Sequence, residues 1–439
     1  MKKILTIAAC LALGAGNVMA QETFPRNGVY DERSGLVALT NATIHTDYKT
    51  TISNATLLIR NGKVEAVGTG IKVPAGAVTI DAKGKHIYPG LVDMFSSYGM
   101  PEVKSERGGW GAAPQMETKK QGAYSWNQAV RPETNAVELF KIDRKQAEEM
   151  RKLGFGSVLA VHRDGIARGT ATLVTLADDK RENEVVLLDK AAGALSFDKG
   201  SSTQDYPNSL MGSIALLRQT YLDAQWNAQN PTKEQNISLS AFTAANKYPQ
   251  IFEVNSKLDV LRADKVGDEF GKQYIIKGSG DEYQMIKEIK ATNAPIILSL
   301  NFPDAYNVED PFDARRVPLE SMKHWEMAPA NAALLNKAGV TIAFTAADLK
   351  DKKDFLPNLR KAIQYGLSEE EALKALTATP AKLLNAESKV GSLNKGMLAN
   401  FIVTSGNLFS ADNIILENWV QGSQYKISEM PADYRGVYT

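Results

Sequence analysis

The chain has 439 residues, of which 44% are hydrophobic and 23% charged, with 51 Lys and Arg against 50 Asp and Glu. That length exceeds one ordinary domain and fits either two domains or one large barrel with an appendage, built around an ample core. The near-neutral balance excludes the polybasic signature of a nucleic-acid binder, and no repeat or low-complexity run is present.

The first 20 residues form an element of their own. Lys2 and Lys3 give a charged start, Ile4 to Gly16 is a short apolar run, and Val18-Met19-Ala20 is a small-residue cleavage signal before Gln21. This pattern predicts a secretory signal peptide, because the run is too short to cross a bilayer. No later stretch is apolar and uncharged over the roughly 18 residues a span needs. The mature protein is therefore expected to be soluble and exported, periplasmic or extracellular, with no membrane span. The single cysteine, Cys10, falls inside this segment. Ile7-Ala8-Ala9-Cys10 is disfavoured as a lipoprotein signal because the apolar run continues to Met19. The mature chain then has no thiol, and a core of this size needs no disulfide. Without Lys2 and Lys3 the charge balance is 49 to 50.

Residues 36–89 read as β-structure. VALTNATIH, ATLLIRNGKVEAVG and VTIDAKGKHIYP are rich in β-branched residues and broken by turn signals, with Asn61-Gly62 predicting a tight hairpin. From residue 90 the pattern changes to strands alternating with helices. GLVDMF, SVLAVH (157–162), VVLL (185–188), IFEV (251–254), YIIKG (274–278), PIILSL (295–300) and VTIAFTA (340–346) are short apolar runs. Such runs suit strands buried on both faces of a parallel sheet. Helical stretches lie between several of them, at Asn135–Leu153, Asn208–Trp226, Leu258–Phe270, Asp281–Thr292 and Asn331–Ala338. Ser368 with Glu371 forms a capping box before EALKALTA, and Pro380 suits the first turn of the next helix. Residues 390–427 return to β-structure, with a turn near Gly422.

Seven strand candidates alternating with helices fit an α/β fold of the (β/α)₈ TIM-like barrel type, with one strand unplaced. The flanking β-segments are expected to meet as one small composite β-sandwich. The expected organisation is a signal peptide over 1–20, a sandwich from 21–89 together with 387–439, and a barrel over 90–386. The competing reading is two independent β-domains around a doubly wound sheet.

These segments carry a resemblance. IRNGKVEAVG followed by IDAKGKHIYPGLVD resembles the entry to the amidohydrolase superfamily. AGVTIAFTAADLK, GLSEEEALKALTATPAKLLN and VGSLNKGMLANFIVTS resemble its closing strand, helices and return to the sandwich. The likeness covers residues 36–425, with specific motifs at both ends and weaker ones between, and is nearest to exported imidazolonepropionase-like members. In some of those, a module like this one precedes a second amidohydrolase module.

The resemblance implies a barrel with a composite sandwich, and hydrolysis of C–N bonds in amides or cyclic amides. It implies Zn or a similar divalent ion, which lowers the pKa of bound water to about 7 and so supplies a hydroxide. The family's first strand places His-x-His in the barrel mouth. Later strands supply a lysine, two further histidines and an aspartate that takes the proton. Here the His-x-His positions fall on Phe95 and Ser97, the fifth-strand position near Asn255 and the sixth-strand position near Lys277. The closing strand reads Thr345-Ala346-Ala347-Asp348, so the expected aspartate is Ala347 or, after a one-residue slip that reverses the face, Asp348. Lys190 and Lys199 both compete for the lysine position. Only four histidines exist: His45, His86, His162 and His324. Of these only His162 lies at a barrel-strand end, short of the ligand set a catalytic zinc needs. The metal-ligand positions Phe95, Ser97, Asn255 and Lys277 thus read as degenerate, and no bound metal or other cofactor is expected.

Other chemistry at the same mouth would draw on Asp93, Asp164, Asp348, Lys277 and His162. Asp348, His162 and Lys277 are the catalytic candidates, with Lys277 paired to Asp281 or Asp348 either as acid and base or as a structural salt bridge. Ser96 and Ser97 have no histidine partner nearby, and there is no phosphate loop or nucleophile elbow. The long loop over Ser96–Thr134 belongs on the ligand-binding face of a barrel. In it Trp110, Tyr124, Trp126 and Arg131 are candidates to contact a ligand, or to anchor the loop or another chain.

Three functions follow. The first is a pseudoenzyme: a non-catalytic binding or partner module of an exported amidohydrolase encoded separately. Asp433–Thr439 supports it by resembling the joint before a second module. The second is an active C–N hydrolase with an unconventional or metal-free site rebuilt around Asp348, His162 and Lys277. The third is an exported small-molecule binder. A homo-oligomer is compatible with each.

Overall fold

The computed structural model describes residues 35–104, 113–231 and 233–430. The predicted signal peptide with Cys10, Trp110 and Asp433–Thr439 lie outside the described residues. The strands run in chain order. β1 (Leu36–His45), β2 (Thr51–Arg60), β3 (Lys63–Gly68), β4 (Val78–Asp81) and β5 (His86–Pro89) come first. β6 (Leu91–Ser96), β7 (Phe155–Ala160), β8 (Ala167–Thr175), β9 (Val186–Ser196), β10 (Gln250–Glu253), β11 (Tyr274–Lys277), β12 (Ile296–Ser299) and β13 (Ile342–Thr345) follow. β14 (Phe401–Thr404), β15 (Ile415–Val420) and β16 (Ser423–Lys426) close the series.

The first and last strands share one eight-stranded sheet in the order β16-β15-β14-β5-β1-β2-β3, with β4 also paired to β1. β14 pairs antiparallel with β5, so strands far apart in sequence are ladder neighbours. Independent β-domains at the two ends are therefore ruled out. Leu39, Ile44, Leu57, Ile59, Phe401 and Trp419 form the core of this unit. Asn61 and Gly62 both have positive φ and turn β2 into β3; Gln421 and Gly422 do the same between β15 and β16. The two turn tips meet: a Cβ on Gly62 would sit 2.6 Å from the Gln421 carbonyl oxygen, so only glycine fits there.

β5 leads into β6 through Gly90 alone. Its N–H donates to the Asn400 carbonyl at 2.8 Å, and a Cβ there would press on Asn400 at 3.1 Å. The second sheet, β6 to β13, keeps chain order. Ile251, Ile275, Ile297 and Ala343 face one core, closed at its end by Leu384 and Val390. The alternate residues Phe252, Ile276, Leu298 and Phe344 face the other, beneath the helices. Burying each such side chain contributes about 1.5–3 kcal/mol.

Two features depart from eight repeated β/α units. The unplaced strand is β8, ARGTATLVT, which runs antiparallel to both β7 and β9. A hairpin therefore replaces a helical crossover. Its alternation of threonine with alanine and glycine carries little hydrophobic signal. β9 also continues beyond VVLL to Ser196, through an Ala- and Gly-rich stretch. At the seam between the first and last strands, Thr345 Oγ1 donates to the Phe95 carbonyl at 2.6 Å, and the Ala346 N–H to Asp93 Oδ2 at 3.1 Å.

The principal helices fall where expected. Helix Leu210–Gln229 is capped by Ser209, Lys257–Glu269 by Ser256 and Glu369–Leu376 by Ser368. The stretch predicted as one helix over Asn135–Leu153 is two, Ala136–Leu139 and Arg144–Lys152, the second capped by Asp143. No helix among the described residues is long and apolar enough to cross a membrane.

Candidate functional site: a chain of ion pairs in the barrel mouth

Strand alternation decides which side chains reach the mouth. Ile251 and Ile275 point inward, so Glu253 and Lys277, two residues further on, do the same at the strand ends. Both are almost fully buried. Asp348 follows β13 with φ +64°, a left-handed turn beyond the strand. The one-residue slip therefore does not turn it away, because strand alternation no longer applies at that point.

These groups form a continuous chain of opposite charges. Lys277 is ion-paired with Asp348. Asp348 accepts a second hydrogen bond from Arg163 Nη1 at 2.8 Å. Arg163 is also paired with Glu253, and Glu253 with Arg168. The order across the mouth is Lys277, Asp348, Arg163, Glu253, Arg168. The Arg163 guanidinium carbon lies 5.4 Å from the Phe95 ring centroid, within cation–π range. Burial alone would raise the carboxyl pKa values. Lys277 and Arg163 beside Asp348, and Arg168 and Arg163 beside Glu253, outweigh burial and hold both below the usual carboxylate range.

Sequence reasoning singled out Lys277 and Asp348 but missed Arg163, Arg168 and Glu253. A signal for Glu253 existed: a carboxylate inside the apolar run IFEV. Asn255, the expected fifth-strand position, lies just past the strand and is exposed. Ser97 is likewise exposed beyond β6, whereas Phe95 is buried in the inner core. Asp281 pairs with Lys257 at 3.5 Å, not with Lys277. Lys190 is exposed on β9, and the Lys199 ammonium donates to the Gln204 carbonyl at 2.6 Å.

His162 stands apart from the ion-pair chain. Its Nδ1 is buried with no hydrogen-bond partner among the described residues. Burial, opposed by Asp164, holds its pKa below the usual imidazole value. Asp164 is paired with Arg131 and accepts from the Ser201 N–H at 2.7 Å and the Ser201 hydroxyl at 2.8 Å. Trp126 is exposed and stacks on Tyr206 with centroids 6.0 Å apart. Tyr124 receives the Lys120 ammonium 3.7 Å from its ring centroid. His45 and His86 lie in β1 and β5, their rings 3.2 Å apart between Nε2 and Nδ1. His324 stacks on Tyr283.

Divalent-metal binding needs imidazoles and carboxylates with free lone pairs. Here Glu253 and Asp348 are each engaged by two cationic side chains. Lys277 and Arg163 bring positive charge, and Phe95 cannot ligate. Among the described residues no three His, Cys, Asp or Glu side chains are grouped to hold an ion. This donor set does not fit Zn or a similar metal. Beside the ion-pair chain opens a cavity of about 400 Å³, lined by Arg163, Arg168, Ser196, Asp198, Glu253 and Asn255 among others.

The model of the amidohydrolase family matches residues 201–427. The chain is similar to an imidazolonepropionase of Klebsiella pneumoniae, with 22% identity over 391 residues, covering 82% of this chain and 89% of that one. A stretch of 38 residues, 9% of each chain, is 50% identical to a dihydroorotase of Trichlorobacter lovleyi. Among solved structures, an amidohydrolase from Thermotoga maritima superposes with a TM-score of 0.70 at 23% identity, covering 89% of this chain and all of that one.

Proposed function

Since the chain belongs to the amidohydrolase family, whose model spans more than half of it, we propose that it is a non-hydrolytic member: an exported module that binds a small polar molecule and serves an amidohydrolase encoded separately. One observation carries this reading. The mouth at the strand ends holds a chain of ion pairs, Lys277–Asp348–Arg163–Glu253–Arg168, in which both carboxylates are engaged by cations, in place of groups able to activate water.

A metal-free hydrolase built on Asp348, Lys277 and His162 is less well supported. A general base needs a pKa near the working pH. Two cations hold Asp348 well below it. Among the described residues His162 makes no hydrogen bond or ion pair with Asp348 or Lys277. The cavity beside the ion pairs instead supports binding without turnover.

Elemental analysis of the purified protein after incubation with zinc, manganese or cobalt is the first test. Metal well below stoichiometric is expected, with no turnover of amides, dipeptides, hydantoins or lactones. One equivalent of tightly held metal, or hydrolysis abolished by Asp348→Ala, would overturn the proposal. The partner is tested separately, by purification at native abundance from the source. An accompanying amidohydrolase is expected, and recovery of the chain alone removes that part.

A further inference from the structure

We infer that the cavity beside the ion pairs is a site for a free α-amino acid, its carboxylate held by Arg168 and Arg163 and its ammonium by Asp198. The inference rests on reading the barrel mouth as a binding site.

Arg168 is the first observation. It lies on β8 with only 4% of its surface exposed, yet lines the cavity. Its Nε donates to the Gly165 carbonyl at 3.0 Å, and its Nη1 is paired with Glu253. A guanidinium has five N–H donors. Nη2 therefore remains without a protein acceptor among the described residues. Although the residue is buried, Nη2 itself is not enclosed but open to the cavity, where a carboxylate is the acceptor that matches its geometry.

Charge is the second. The ion-pair chain holds three cations and two carboxylates, so it carries one uncompensated positive charge. Three neighbouring acids are engaged elsewhere and do not neutralise it. Asp164 is taken by Arg131, and Glu282 accepts from the Ser279 N–H at 2.6 Å and from Asn331 Nδ2 at 2.6 Å. Asp93 turns to the seam. The cavity's remaining acid, Asp198, is in no ion pair with these arginines among the described residues, so the arginines stay available to a ligand carboxylate and Asp198 to a ligand ammonium.

The rim supplies the opposite group. Asp198 is exposed, and its Oδ1 accepts from the Gly200 N–H at 2.9 Å, leaving Oδ2 for a cation. Arginines inside and an aspartate at the rim suit a zwitterion better than a simple anion. At about 400 Å³ the cavity accommodates a side chain beyond the α-carbon.

The test is calorimetric titration of the full chain with glycine, acetate, methylammonium and inorganic phosphate. Glycine is expected to bind saturably and more tightly than acetate, while methylammonium and phosphate give no saturable heat. Arg168→Met should weaken glycine and acetate by roughly tenfold to a hundredfold, the loss of one charge-assisted hydrogen bond. Asp198→Asn, at the exposed rim, should abolish the advantage of glycine over acetate and leave acetate unchanged. No saturable glycine binding overturns the inference. So does phosphate or methylammonium binding as tight as glycine, or wild-type glycine affinity in folded Arg168→Met. If Arg168→Met does not fold, an unchanged glycine-to-acetate ratio in Asp198→Asn overturns it. Hydrolysis or bound metal alongside intact glycine binding would remove the non-hydrolytic reading and leave this one standing. Absent glycine binding in metal-free, non-hydrolysing protein would remove this one alone.

Discussion

Glu253 is held between Arg163 and Arg168, and its environment makes the ion-pair chain testable one residue at a time. Removing its charge strands the buried Arg168. Glu253→Gln is expected to cost about 3 kcal/mol in urea unfolding. Asp348 is one-third exposed, but its partner Lys277 is almost fully buried, so Asp348→Asn also strands a buried cation and should cost about 2–3 kcal/mol. A loss well under about 1 kcal/mol in either variant would contradict the burial of Arg168 and Lys277. The two carboxyls also set a pH dependence. Their folded pKa values are lowered, so their contribution is present above the unfolded value of about 4 and is lost as pH falls through the folded values. Asp93 has the opposite sign. Burial, opposed by hydrogen bonds from the Phe95 and Ala346 N–H groups, raises it to about 6. The stability it contributes is fully present below its unfolded value and lost as pH rises through about 6. Melting temperatures measured from pH 4 to 7 should therefore depend less on pH in Asp93→Asn than in the wild type. A parallel pair of curves would show that Asp93 does not titrate there.

Among the elements, the hairpin tips make the sharpest prediction. Gly62→Ala forces a Cβ onto a residue with φ +74° and against the Gln421 carbonyl, and should destabilise the protein by about 1–3 kcal/mol in thermal melts. Asn61-Gly62 was readable because a two-residue turn of this kind demands those residue types. The parallel strands were readable because burial on both faces makes them continuous apolar runs. β8 was not, because its small residues pack against neighbouring strands without a hydrophobic signature, and its direction depends on contacts no local pattern encodes. The mouth divides the same way. Lys277 stood out as a charge ending an apolar strand. Arg163 follows β7, and its role exists only because Glu253 and Asp348 arrive from strands far along the chain.

The whole molecule couples a barrel to a sheet assembled from both chain ends. The resemblance in the end motifs reflects this coupling: IYPGLVD marks the passage through Gly90, and LANFIVTS supplies Asn400, which receives its hydrogen bond. That architecture depends on the seam and the crossing rather than on a ligand in the mouth. The same architecture governs how the protein forms. During synthesis β5 emerges with one edge paired to β1, while its other neighbour, β14, is still more than 300 residues from being made. Until then a row of main-chain donors and acceptors is open to any passing strand, an aggregation hazard that lasts as long as the barrel takes to appear. Chains truncated before Phe401 should keep that edge exposed permanently. The C-terminal strands thus act as the molecule's completion check: only a finished chain can cover the edge its beginning left bare.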